Sequence, residues 1–149
     1  MPKENLDPNF AGEGIYRENI LDHYKNPHNH GEIKNPDIKF TENNPLCGDV
    51  ITVNIKLNGS KVEDVKFRSM GCAISQSAAS MLTDEIRGKT LKEVKNLQRE
   101  DIVNMLGIDI GVVRTKCATL GLAAIKNGIK EFESKYTVLR ERKNGKIQN

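Results

Sequence analysis

The sequence predicts an α/β (α+β) fold, a small three-stranded antiparallel sheet packed against several helices in a single domain. Three observations carry this. Residues 50–57 alternate between apolar and polar side chains, with Ile51, Val53, Ile55 and Leu57 set against Thr52, Asn54 and Lys56, the period of a strand with one buried face. Asn58-Gly59 follows at once, a dipeptide that accepts the positive φ values of a tight hairpin turn. Further along, the pattern changes to helical spacing, with Ala118, Leu122, Ile125, Ile129 and Phe132 recurring every three or four residues. A length of 149 residues suits one domain around one core.

Taken in chain order, residues 1–13 mix Pro, Gly, Asn and charge without period and are expected to form a flexible N-terminal arm. Residues 14–134 make the domain, and 135–149 a basic, flexible C-terminal tail. A first helix over 15–24 sets Tyr16, Ile20, Leu21 and Tyr24 at helical spacing, and Pro27 limits it because the residue before a proline is pushed out of the α region. Ile38 and Phe40 alternate and supply the third strand. The return strand of the hairpin, Val62 to Phe67, places Val65 and Phe67 on one face. A helix from Ser75 to Arg87 carries Ala78, Leu82 and Ile86 every fourth residue and stops at Gly88. Thr90 and Glu93 frame a capping box for a short helix ending near Leu97, and a second short helix covers Asp101 to Leu106. The last helix is expected from Val113 to Ser134, weakened at Gly121 and Gly128 by about 1 kcal/mol each relative to Ala.

Composition narrows the function classes. The 23 basic and 20 acidic residues leave a net charge of +3, and a pI near 8.7 falls short of the concentrated basic stripe of a duplex binder, so nucleic acid is not an expected partner. No apolar run approaches the roughly 20 residues that span a bilayer. The polar N-terminal stretch lacks the apolar segment of a signal peptide. The expectation is a cytoplasmic protein without membrane contact, whose thiols stay reduced. Three cysteines cannot all pair with one another, which also argues against a disulfide framework.

The neighbours of those cysteines carry the chemistry. Cys47 lies in Asn44-Pro45-Leu46-Cys47-Gly48-Asp49, a turn-rich loop before the first long strand; Cys72 lies between hairpin and helix; Cys117 falls near the expected start of the last helix. Thiols near helix N-termini ionise more readily because the helix dipole favours the anion, and thiolates rather than thiols bind metals and attack sulfur. Asp49 adds a fourth donor two residues from Cys47, with Gly48 allowing a backbone that aims both at one point. Three thiolates and a carboxylate fit a tetrahedral Zn2+ site. They fit a small iron–sulfur cluster equally, the harder oxygen being its weakest tie. Taken singly, each cysteine reads as a small core hydrophobe, Asp49 as a turn or cap residue and His23 as a surface or capping histidine. His28 and His30, two apart in a loop, are a minor metal candidate.

In combination, Tyr16…Asn19-Ile20…Asp22-His23-Tyr24…Asn26-Pro27…Asn29, then Asn44 to Asp49, then Phe67…Gly71-Cys72-Ala73-Ile74-Ser75, then Lys116-Cys117-Ala118-Thr119-Leu120 resemble the IscU/SufU/NifU-N family of iron–sulfur cluster assembly proteins over residues 15 to 132. The resemblance implies a short sheet packed on helices. It also implies that Cys47, Asp49, Cys72 and Cys117 converge on one exposed site holding Zn2+, iron or a labile [2Fe–2S] cluster. The implied partners are a cysteine desulfurase, which donates persulfide sulfur, and apo iron–sulfur proteins, which receive the product. The implied role is a scaffold or sulfur carrier rather than an enzyme, with sulfurtransferase activity as the alternative. Lys116 stands where the scaffold branch has His and so resembles the SufU branch of zinc-dependent sulfur acceptors, yet the short interval from Cys72 to Cys117 is that of the scaffold branch. Ile110-Gly111-Val112-Val113 occupies the place of the scaffold branch's proline-rich chaperone-docking motif.

Within this frame Cys47 is the first choice as persulfide acceptor, since a Gly-flanked loop can leave the metal and reach a donor, and Cys117 is the second. Cys72 is the pure ligand, and the Lys116 ammonium is a thiolate stabiliser. Two other classes compete. A structural zinc domain that binds a protein or nucleic acid would draw on the basic tail (Arg140, Arg142, Lys143, Lys146) and would unfold without metal. A cysteine hydrolase pairing Cys72 with His23 lacks an oxyanion loop and a third orienting group.

Overall fold

The computed structural model describes residues 8–45 and 48–143, with side chains described for all of these except 8–16, 112–113 and 138–143. Helix α1 (Pro8–Lys25) leads into strands β1 (Ile38–Asn44), β2 (Asp49–Asn58) and β3 (Lys61–Met70). There follow α2 (Ala73–Ile86), α3 (Leu91–Lys95), α4 (Arg99–Leu106), α5 (Gly111–Ala118) and α6 (Leu120–Lys143). The sheet is antiparallel in the order β1-β2-β3, as expected.

Burial follows the alternation read from the sequence. Ile51, Val53, Ile55, Val65 and Phe67 are all essentially inaccessible, and α6 packs across β1 and β2 while α2 packs on β3. Two details differ. Asn54, expected on the wet face, is buried; its cross-strand neighbours are Lys39 and Lys66, side chains whose long stems cover a sheet face while the ammonium stays in water. The hairpin turn is also displaced by one residue. Asn58 pairs with Lys61, so Gly59 and Ser60 are the central pair, and Gly59 alone supplies the positive φ, at +64°. A bulge between Lys56 and Leu57 moves Val62 opposite Leu57 and brings its side chain into the core.

Helix α2 is the centre of the molecule, in contact with α1, α4, α5, α6 and β3. Its apolar stripe of Ala78, Leu82 and Ile86 is buried, and so are Ser75, Ser77, Ser80 and Thr83. Small hydroxyl residues let neighbouring backbones approach, and their polar atoms find partners: Ser77 Oγ donates to the Ile20 carbonyl of α1 at 2.6 Å, and Thr83 Oγ1 to the Ser80 carbonyl at 2.7 Å. The capping box before α3 forms as expected, with Glu93 N–H donating to Thr90 Oγ1 and Thr90 N–H to Glu93 Oε1. These bonds hold the Glu93 carboxyl below its ordinary range.

The helix boundaries supply the corrections. The backbone is already helical from Pro8, within the stretch expected to be an arm, and helical to Lys143, past the point where the tail was expected. On α1, Ile20 and His23 face the core, whereas Leu21 and Tyr24 are exposed, because α2 covers a narrower stripe than the spacing suggested. The single helix expected from Val113 to Ser134 is two, interrupted at Thr119, whose N–H bonds back to the Thr115 carbonyl.

Candidate metal centre

The ends of three elements meet beside the sheet. Asp49 opens β2 and is pinned by pairing with Asn44, the last residue of β1. Between them the loop is closed by the Gly48 N–H donating to the Asn44 carbonyl at 2.7 Å, with Gly48 at φ +77°. Cys72 follows β3 and caps α2 in an extended conformation (φ −77°, ψ 171°), its Sγ accepting the Ser75 N–H at 3.4 Å. A sulfur at this position receives one of the unsatisfied amides of the first helical turn. Cys117 lies on α5.

The donor atoms of Asp49, Cys72 and Cys117 all lie within 4.8 Å of one another, with Cys72 Sγ 3.9 Å from Asp49 Oδ2. Asp49 and Cys117 are buried and Cys72 is half-buried. Two sulfurs and a carboxylate at this spacing match the donor set of a Zn2+ or iron–sulfur site. Cys47, the fourth expected donor and first choice of acceptor, lies outside the described residues. One expectation fails: Cys117 is in the last turn of α5, not at the start of a long helix, so of these two only Cys72 sits at a helix N-terminus. Lys116 is exposed and lines, with Arg99, Thr115 and Thr119, a surface cavity of about 270 Å³.

Two residues that the sequence places in the motif around Cys72, without a role of their own, shape this centre. Gly71 packs directly against the Asp49 carboxylate, and Ser75 secures Cys72 through its amide. The Ser75 signal was legible, since a residue three after a helix cap is where the capping bond goes.

The histidines arrange themselves differently from expectation. His23 is buried rather than on the surface, with Nδ1 2.7 Å from Ser80 Oγ. Its ring lies 4.4 Å from that of His28, centre to centre. His30 turns to Phe67, edge to face, so the pairing of His28 with His30 does not form. Since His23 engages Ser80 and groups with His28 and Asp84, the Cys72–His23 pair of a hydrolase has no support either. Burial first, then the neighbouring His28, push the His23 pKa below its ordinary 6.5, against the opposite pull of Asp84 and Asp22. The folded chain therefore binds this proton less readily than the unfolded chain. Its stability should fall as pH drops below 6.5 and stop falling once folded His23 itself protonates. Denaturation of wild type and of His23→Gln from about pH 8 to about pH 5 checks this: wild type should lose stability relative to the variant as pH falls. A pH-independent difference would reject it.

A small α/β domain carrying free thiols and a carboxylate at the junction of sheet and helices defines a class, that of cysteine-based metal- or cluster-handling domains. The comparison with known families is specific. The NifU-like N-terminal domain matches residues 15–138, and the chain belongs to this family. It is 35% identical over 135 residues to the iron–sulfur cluster assembly scaffold protein IscU 1 of Archaeoglobus fulgidus, covering 89% of this chain and 81% of that one. It is 38% identical over 136 residues to the zinc-dependent sulfurtransferase SufU of Bacillus subtilis, covering 80% and 92%. The crystal structure of a proposed iron–sulfur cluster assembly scaffold of the SUF system from Fervidobacterium islandicum superposes with a TM-score of 0.64 at 30% identity, over 78% of this chain and 97% of that one. Among the described residues no helix is long and apolar enough to cross a membrane.

Proposed function

We propose that this chain is a scaffold for iron–sulfur cluster assembly. It takes persulfide sulfur from a cysteine desulfurase, assembles a labile [2Fe–2S] cluster on Cys47, Asp49, Cys72 and Cys117 as an external electron donor reduces that sulfur to sulfide, and passes it to apo iron–sulfur proteins in the cytoplasm. The observation that supports this reading best is the convergence of Asp49, Cys72 and Cys117, residues far apart in sequence, within 4.8 Å. Structural packing alone does not require a carboxylate between two buried or half-buried thiols.

In the sulfur step a thiolate of this chain attacks the outer sulfur of the donor's persulfide. The donor's S–S bond breaks, its cysteine leaves as thiolate, and the new persulfide stays on this chain, with no net redox change. A macromolecular donor must reach the attacking sulfur. The burial of Cys117, at 5% exposure, favours Cys47 as first acceptor, with Cys117 second. Cys72, fixed by its capping bond, serves as ligand, and Lys116 as the positive charge that stabilises a neighbouring thiolate. Zn2+, where it is resident, would be held by the same four residues and would keep their thiols ionised.

A second reading, a zinc-dependent sulfur acceptor, is favoured by Lys116 and by the similarity to the Bacillus protein. Anaerobic incubation with Fe2+, cysteine, desulfurase and reductant, beside a zinc-loaded sample, separates the two. A visible chromophore on the chain supports the scaffold; sulfur uptake with zinc retained and no chromophore supports the acceptor. In either case Cys47→Ala, Cys72→Ala and Cys117→Ala should each lower metal affinity and sulfur uptake by about tenfold or more. Variants that keep both would reject the site. A chelator-stripped chain that unfolds would favour the structural zinc domain instead.

A further inference from the structure

At the opposite end of α2 from Cys72, three metal-ligating side chains from three segments meet. His23 comes from the last turns of α1, His28 from the loop that follows, and Asp84 from the C-terminal part of α2. One donor atom of each lies within 4.8 Å of the other two. We propose that His23, His28 and Asp84 form a second binding site, for a borderline divalent cation such as Zn2+, separate from the thiolate centre.

The donor types fit. Two imidazoles and one carboxylate are a common Zn2+ ligand set that leaves the fourth position to water, and imidazole also suits the other late first-row cations. Tetrahedral ligands at ordinary Zn–N and Zn–O lengths sit about 3.4 Å apart, so His28 and Asp84 would have to part by about 1 Å to take a cation between them. Both can do so. The side chains of His28 and Asp84 are 46% and 44% exposed, and His28 Nδ1 already lies 2.5 Å from Asp84 Oδ2 in an ion-pair contact that a cation would replace.

The supporting contacts also fit, because ligands need partners that fix their orientation. His23 is held from below by Ser80, whose Oγ also accepts the backbone N–H of His28 at 2.7 Å, so one hydroxyl ties both histidines to α2. Asp84 Oδ1 accepts from Asn29 Nδ2 at 2.9 Å, which leaves Oδ2 for the cation. Asn29 is in turn gripped by Arg87 at 2.7 Å and sits at φ +59°, a left-handed conformation that Asn tolerates. Twelve helical rises along α2 separate its N-cap Cys72 from Asp84, about 18 Å along the helix axis, so no ion can bridge the two centres.

The test is a Co2+ titration of the full, reduced chain under anaerobic conditions. Wild type should take up two equivalents, one with the near-ultraviolet sulfur-to-cobalt charge-transfer band and one without it. His28→Ala and Asp84→Asn should each weaken the second by about tenfold or more and leave the charge-transfer band intact. His28→Ala removes only an exposed side chain and keeps the backbone bond to Ser80. As an independent readout, Zn2+ should shift the imidazole NMR signals of His23 and His28 and leave those of His30, packed on Phe67, in place. Uptake that is complete without a band-silent equivalent, a second equivalent that survives in both variants, or a shift at His30 alone would overturn the proposal. Absence of the charge-transfer band would count against the thiolate centre and not against this site.

Discussion

Gly71→Ala is expected to lower the metal affinity of the thiolate centre by about ten- to a hundredfold while leaving the fold in place. A Cβ on Gly71 would sit 2.9 Å from Asp49 Cγ, 3.0 Å from Asp49 Oδ1 and 3.2 Å from Ser75 Oγ. Real Cβ atoms do not approach that closely, so something must move. The backbone of Asp49 cannot, because β2 pairs on both sides at its start: Asn44 faces Asp49 and Met70 faces Val50. The carboxylate itself has to swing, and it is one of the three clustered donors, 3.9 Å from Cys72 Sγ. Gly71 is not in the left-handed region, so the substitution adds no backbone strain and acts through space alone. Competition for Zn2+ against a chromophoric chelator, run beside a thermal melt, measures the two effects separately. An unchanged affinity with an unchanged melt would show that the carboxylate has no part in binding.

The largest stability effect is expected at a position where helix propensity points the other way. Gly128→Ala should gain about 1 kcal/mol of propensity in α6. Its Cβ, however, would lie 2.8 Å from Ile38 Cγ2 and 3.1 Å from Phe40 Cβ. Ile38 is buried, β-branched and fixed by pairing with Ile55, so it cannot step aside by a rotamer change. Overpacking of this kind costs about 1–3 kcal/mol, so the net result is a loss and a melting temperature lower by a few degrees. Gly121→Ala is the control. Its nearest neighbours, Ala79 Cβ and Ile51 Cδ1, are at 3.5 Å, an ordinary contact, and that variant should be neutral or slightly stabilised. If both substitutions stabilised the chain alike, the close approach of α6 to β1 would not be what Gly128 serves.

The two glycines show where the reading of the sequence stops. By local pattern they are equal interruptions of one helical stripe; only the packing of α6 on the sheet separates a glycine that β1 requires from one that it does not. The break at Thr119 was hidden for a related reason. The apolar stripe continues from Ala118 to Leu122 across it, and a three-to-four-residue period does not register a one-residue break. Leu21 and Tyr24 carried helical spacing too, yet how wide a stripe α2 covers is a property of the partner surface, not of α1.

What the amino-acid order determined alone is the part set by local periods and caps: the alternating strands, the Thr90–Glu93 box, the stop at Gly88, and the placing of Asp49 and Cys72 at element boundaries. Those signals are written within about ten residues of chain and depend on backbone geometry that every segment shares. Tertiary structure decided which distant groups meet. It brought Asp49, Cys72 and Cys117 within 4.8 Å, buried His23 against Ser80 and turned His30 away from His28. Contacts between segments this far apart in the chain are fixed by how helices and sheet pack together, and no short window of sequence encodes that geometry.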